Sequence, residues 1–297
     1  MSKTILDMFG LEKVSVLDPS AAYATVSPPV EVIESDLEVG IEVEVENHIL
    51  TRTPTGVWAS KGDGSLRNNG IEWITRPIPA KWAPYALREL LEESLSGECC
   101  FSPRTSIHVH FNVQSFTSAE VVDATLLYTA LEPLFYKFTG RGRIKNIYCV
   151  PLMDTNLITG MNGQTLNNTI EAWSKYTGLN LLPVRELGTM EARHMHGTFD
   201  HRKISIWIRM WIKLLDYVRK MGTAHMRRMF LDLHQYTDYQ QLLNDIFGAD
   251  ALMLKYESWD DLSRSVGVVK RAFINLMTVV GLVKGVSKKS PYFKAGA

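Results

Sequence analysis

The stretch Val39-Gly-Ile-Glu-Val-Glu-Val-Glu46 alternates without a break, with Ile41, Val43 and Val45 on one side and Glu42, Glu44 and Glu46 on the other. A period of two is the signature of a strand with one buried face. The same geometry lines three carboxylates along the opposite face, their Cβ atoms roughly 7 Å apart. Like charges aligned in this way repel unless a cation or a basic group compensates them. The strand alone leaves two readings open: the solvated outer face of an edge strand, or one side of a charged site.

Outward from this strand the chain alternates between short extended segments and helical periods. Residues 56–70 are rich in Gly, Asn and Asp and read as a loop or hairpin, and Ile71-Glu-Trp-Ile-Thr75 reads as the next strand. A helix is expected over 81–95, ended by Gly97. Residues 105–113 alternate again, with Ile107, Val109 and Phe111 against His108, His110 and Asn112. A helix follows over 118–138, with a break expected near Pro133. Residues 141–168 lack a period and suit a mobile loop over a site, carrying Arg141, Arg143 and Lys145. Two short strand-like pieces flank Pro183 within 178–193. Beyond Asp200 helices are expected near 223–234, 238–247 and 259–283, after a first one whose apolar face is Ile204, Ile208, Trp211, Leu215 and Val218. Strands first and helices after give an α+β chain with a mostly antiparallel sheet, flanking helices and a helical C-terminal part. The expected divisions are a partly disordered lead-in over 1–37, one catalytic domain over 38–283 and a loose basic tail over 284–297. No internal repeat or low-complexity tract is present.

Thirty-two acidic and 32 basic residues balance across the 297 positions, so no whole-chain footprint for nucleic acid or anionic membrane is present. Three cysteines, Cys99, Cys100 and Cys149, form neither a disulfide framework nor a CxxC metal site. Asp7 interrupts the first residues and no long apolar core follows, so no secretory signal is expected. The most apolar late stretch, 272–283, falls short of the roughly 20 residues a membrane span needs. A cytoplasmic protein with no membrane partner is the expectation. Trp207, Trp211 and several methionines in the late helices suit either a homo-oligomer contact or core packing, and core packing is favoured.

Each charged segment has a plain structural explanation of its own. Asp63-Gly64 is a turn sequence first and a ligand second. Glu72 points away from its apolar neighbours, as a ligand or a surface residue would. His108 and His110 sit two apart, the spacing that lets two imidazoles reach one metal or ligand. Glu191-x-Arg193 projects a carboxylate and a guanidinium together, suited to phosphate or carboxylate contact or to a surface ion pair. If the four segments share one sheet, Glu42, Glu44, Glu72, His108 and Glu191 face Arg193 across one concave surface. Carboxylates with few imidazoles suit Mg²⁺ or Mn²⁺ better than zinc, and such a surface suits polyphosphate.

Taken in order, Gly-Ile-Glu42-Val-Glu44, Asp63-Gly-Ser-Leu with Gly-Ile-Glu72, His108-Val-His110-Phe-Asn112, Tyr176-x-x-x-Asn180 and Thr189-Met-Glu191-Ala-Arg193-x-x-x-Gly197-Thr198 resemble the amidoligase family. These are carboxylate–amine ligases related to glutamine synthetase and glutamate–cysteine ligase, and the resemblance runs over about 38–220. It implies a curved catalytic sheet like that of those enzymes, which binds ATP through Mg²⁺ or Mn²⁺. It implies that Glu42, His108 and Glu191 hold one metal at the nucleotide phosphates, and that Glu44 and Glu72, with Asp63, hold another nearer the substrates. Arg193 would stabilise the transferring phosphoryl group, with Glu44 and Glu72 also at the reacting end. His110, Asn112, Tyr176 and Asn180 would position nucleotide or substrate, and Glu46 would stand outside the ligand set. The reaction implied joins a small-molecule or peptide carboxylate to an amine through an acyl phosphate. Two alternatives stand beside it: a metal-dependent ATP hydrolase or phosphotransferase, and a non-catalytic binding module on the same fold.

Overall fold

The computed structural model describes residues 3–161, 165–254 and 259–279. The alternating stretch forms β1 (Glu38–Val45), and Ile41, Val43 and Val45 are fully buried. Burying each contributes about 2 kcal/mol, enough to fix which face turns inward. The other strands are β2 (Trp58–Gly62), β3 (Ile71–Thr75), β4 (Ile78–Pro79), β5 (Ser106–Asn112), β6 (Leu179–Asn180) and β7 (Thr189–His196). They make one open antiparallel sheet in the order β2-β3-β1-β5-β7-β6, with β4 paired to the start of β1. β1 is therefore an interior strand, and the edge-strand reading of its glutamates is excluded. Of the two readings for 56–70, the hairpin is realised, by β2 and β3.

Helices cover the apolar face of the sheet. Phe111 of β5 stacks on Trp211, which stacks in turn on Tyr128. Trp207 and Trp211 are fully buried, so they are core residues. The Ser118–Thr139 helix runs through Pro133 without the expected break. Pro133 leaves the Thr129 carbonyl without its i+4 donor, and the neighbouring Ala130 carbonyl accepts from the hydroxyls of Tyr239 (2.7 Å) and Ser265 (2.9 Å). Packing from later helices thus supports this turn of the helix. The His201–Asp232 helix is interrupted at Gly222, whose φ of 70° is open to glycine at little cost, and Tyr236–Phe247 and Trp259–Val279 follow. Residues 280–297, including the expected basic tail, lie outside the described residues.

The two strand-like pieces expected around Pro183 are β6 and β7, and Pro183 opens a helical turn, Leu182–Glu186, between them. Two other expectations are corrected. The 141–168 segment is not a bare loop: it carries short helices at Arg141–Lys145, Leu152–Asp154, Leu157–Gly160 and Leu166–Glu171, and Cys149, Leu152 and Ile158 are fully buried. The lead-in, expected to be loose in part, packs on the domain. A Thr4–Asp7 capping box starts the Ile5–Phe9 helix, Ile5 is fully buried, and Gln114 holds residues 12 and 14 in place. All three cysteines are free. Among the described residues no helix is long and apolar enough to cross a membrane.

Candidate metal and anion site

Strand register brings the charged segments together. Glu42 stands opposite His108, Glu44 opposite Glu72, and His110 opposite Glu191, while Lys61 and Asn180 extend the rows onto β2 and β6. Opposite His108 the register slips: Ile107 faces Met195 and Val109 faces Ala192, so Arg193 and His194 together span one position. Such a bulge locally twists a strand and re-aims its side chains.

At the centre, His108 Nδ1 lies 3.0 Å from Glu42 Oε2 and 3.6 Å from Glu191 Oε1. His110 Nε2 lies 3.4 Å from Glu42 Oε1 and 4.0 Å from Glu191 Oε1. Arg193 donates to Glu191 Oε1, and Asn180 donates to Glu191 Oε2 at 2.6 Å. Toward β2, Lys61 pairs with Glu72 at 3.2 Å. Outer contacts hold the imidazoles: Ser106 Oγ is 2.7 Å from His108 Nε2, and Thr189 Oγ1 is 2.9 Å from His110 Nδ1.

The electrostatics follow from this crowding. Burial pushes the Glu42 carboxyl up, but hydrogen bonds to His108 and His110 outweigh it and hold Glu42 well below the usual range. Glu191 is also lowered: burial opposes this, and the nearby His108, Arg193 and His110 outweigh it. His110 is raised against the effect of burial, by Glu42 and Glu191. Glu72 is pushed up to about 7, first by burial and then by the Glu42 charge, with which its carboxyl interacts. A carboxyl held up by a neighbouring carboxylate, as Glu72 is by Glu42, is what a divalent cation relieves.

The residues present fit such a cation. One ligand atom each from Glu42, His110 and Glu191 lie within 4.8 Å of one another. Opposite ligands of one Mg²⁺ stand about 4 Å apart, so a small closure completes the set. Arg193 Nε is buried and meets no acceptor among the described residues, a gap that an anionic oxygen would fill.

Beside this cluster a cleft of ≈ 630 Å³ opens over the first half of β1. Gly40 and Asn112 lie along it, Leu11, Val14 and Leu187 form apolar walls, and Glu42 and His110 mark its inner end. Gln114 ties two walls together: its Nε2 donates to the carbonyls of Glu12 (3.0 Å) and Leu187 (3.2 Å), and its Oε1 accepts from Val14 N–H (3.1 Å).

Not every expected residue joins the cluster. Glu44 is buried, and its Oε2 accepts both the N–H and the hydroxyl of Ser106, each at 2.7 Å. Asp63 accepts Ser65 N–H at 2.7 Å as the first residue of a turn. Glu46 accepts Arg67 N–H at 2.9 Å and holds that same loop. Asn112 donates to Glu38 at 3.1 Å in the cleft. Asn180 is buried and holds Glu191 in place, while Tyr176 is exposed beside Tyr148. Arg143 is not a free cation over the site. It is buried, and its guanidinium donates to the carbonyls of Arg193 (3.1 Å) and His194 (3.3 Å) at the bulge.

Sequence reading missed Ser106, Thr189 as a partner of His110, Lys61 and Gln114. Ser106 and Thr189 each lie two residues before a site residue on the same strand face, so the period of two was their signal. Lys61 and Gln114 carried none.

Residues 86–215 match the family described as "Putative amidoligase enzyme". The match supports assigning the chain to an amidoligase family, one of ligase-type enzymes. It spans His108, His110, Glu191 and Arg193, while Glu42, Glu44 and Glu72 lie before it and join the site through strand pairing. No curated protein matches the chain.

Proposed function

We propose that this protein is an ATP-dependent carboxylate–amine ligase. The observation that carries the reading is the convergence of Glu42, His108, His110 and Glu191 from three neighbouring strands, with Arg193 beside them and its Nε lacking an acceptor among the described residues. In this reading those four residues hold Mg²⁺ or Mn²⁺ at the phosphates of ATP. Glu72 and the remaining oxygen of Glu44 offer a second cation position toward the reacting end.

When bound, the cation neutralises phosphate charge and aligns the γ-phosphoryl group. A carboxylate oxygen of the acid attacks the γ-phosphorus, and the bond to the β-phosphate oxygen breaks to leave ADP. Arg193 stabilises the charge on the phosphoryl oxygens in that step. The amine then attacks the acyl carbon, phosphate leaves, and the nitrogen gives up a proton. The cleft beside Glu42 and His110 receives the acid or the amine, small-molecule or peptide, and its apolar walls exclude water from the acyl phosphate.

The direct test is Mn²⁺ binding followed by electron paramagnetic resonance, with and without ATP. Wild type is expected to bind Mn²⁺, and more tightly with ATP present. Glu42→Gln is expected to lose at least tenfold in affinity. A wild type that binds neither Mn²⁺ nor nucleotide would favour a binding module on this fold.

A further inference from the structure

Ser106 stands at the meeting point of two rows of the site, and hydrogen counting fixes what it does there. Its hydroxyl lies 2.7 Å from Glu44 Oε2 and 2.7 Å from His108 Nε2, and its own N–H donates to the same Glu44 oxygen at 2.7 Å. A serine hydroxyl has one hydrogen, and a carboxylate only accepts. The hydrogen therefore goes to Glu44, and the Oγ lone pair accepts a hydrogen from His108 Nε2. A hydrogen of the imidazole is thereby placed on Nε2. Nδ1 faces Glu42 Oε2 (3.0 Å) and Glu191 Oε1 (3.6 Å). Two carboxylates facing Nδ1 require a positive charge between them: a hydrogen on Nδ1 donated to Glu42, or a metal ion that takes its place and meets Nδ1 as a lone pair.

We propose that Ser106, backed by Glu44, is a positioning residue that holds His108 as the Nε2–H tautomer, so that Nδ1 is offered to the divalent cation shared with Glu42, His110 and Glu191. This rests on the cation-site reading above. It gives Glu44 a role that its place on the strand did not reveal: one oxygen anchors the Ser106 hydroxyl and so the ring of His108. Ser106, His108 and Glu191 are all buried, so water does not readily replace the Ser106 contact.

The test has two parts. Long-range ¹H–¹⁵N correlation spectra of the histidine rings, on the metal-free protein near neutral pH, report which nitrogen of His108 carries hydrogen. Wild type is expected to show a protonated Nε2, and Ser106→Ala to lose that preference. Mn²⁺ affinity is expected to fall about 10- to 100-fold in Ser106→Ala and to recover in Ser106→Thr, which restores a hydroxyl. A residue that merely supports the fold would lower stability and leave the tautomer unchanged. A His108 Nε2 without hydrogen in wild type overturns the proposal, and this reading needs no variant to fold. Unchanged Mn²⁺ affinity in folded Ser106→Ala overturns it as well. If wild type binds no Mn²⁺ at all, the cation-site reading itself fails and takes the proposal with it. Loss of the tautomer with Mn²⁺ binding intact removes the proposal alone.

Discussion

Acid should unfold this protein partly through one histidine that touches no substrate. His194 is one of the two bulge residues of β7 and is fully buried among Tyr128, Phe135, Tyr136, Trp207 and Trp211. Its Nε2 accepts from the Trp207 indole N–H at 3.1 Å, and its Nδ1 lies 3.1 Å from the Gly178 carbonyl. One nitrogen accepts and the other donates, so the ring is neutral and locked in one tautomer. Protonation would set an N–H against the Trp207 N–H inside an apolar shell. Burial accordingly pushes His194 down to about 3 from the ordinary 6.5. Because the folded value is depressed, the full contribution to stability is present above pH 6.5. It is lost as pH falls from there toward 3, while the unfolded chain takes up the proton first. Each pH unit in that window costs about 1.4 kcal/mol, so the loss reaches about 2 kcal/mol at pH 5. The assay is urea unfolding of wild type and His194→Gln at pH 7.5, 6, 5 and 4. Gln starts less stable because it forfeits ring packing, so the slopes are what matter. Wild type should lose about 2 kcal/mol more than the variant between pH 7.5 and 5. Parallel slopes would show that His194 protonates without resistance and would refute the account of this core.

Two further predictions concern the frame of the site. Glu132 is fully buried, accepts the N–H groups of Leu152 and Met153, and is raised by burial to about 8 from 4.5. Its sign is opposite to that of His194: stability is complete below pH 4.5 and falls as pH rises toward 8. Unfolding free energies of wild type should therefore drop by about 3 kcal/mol relative to Glu132→Gln between pH 5 and 7.5, and equal trends would contradict this. Gln114→Ala removes two hydrogen bonds to residues 12 and 14 and a third to the Leu187 carbonyl across the cleft. It should cost about 1–3 kcal/mol in thermal unfolding and expose the chain near residue 13 to proteolysis, and a protease-resistant variant would deny Gln114 that role.

Where local pattern and tertiary context agree, the sequence was readable. β1, β3 and β5 announced themselves by period, and their glutamates and histidines shared a face because alternation leaves no other choice. What periodicity could not give was pairing and register. It could not place Glu72 opposite Glu44 and within reach of Glu42, since that depends on the register of β3 against β1. It could not turn Glu44 toward Ser106, or bring His110 into contact with Glu191 as well as His108. Nothing local in the Ser118–Thr139 helix announced the contacts of Tyr239 and Ser265 with the Ala130 carbonyl, because those partners lie more than a hundred residues away. Arg143 was misread for a related reason: a basic residue in an aperiodic stretch resembles a solvated one, yet the β7 bulge frees two carbonyls that recruit it. The lead-in was obscure because its anchors, Phe116 and Gln114, belong to a distant segment.

The central claim is the joining of an acid to an amine at the expense of ATP. The most direct measurement is ADP release from ATP with Mg²⁺ across a panel of acids, each with and without a panel of amines, beside Glu191→Gln. The account predicts ADP only when an acid and an amine are present together, an amide product in equal amount, and loss of both in the variant. ADP formed at the same rate without acid or amine would contradict it and make the protein a metal-dependent ATP hydrolase.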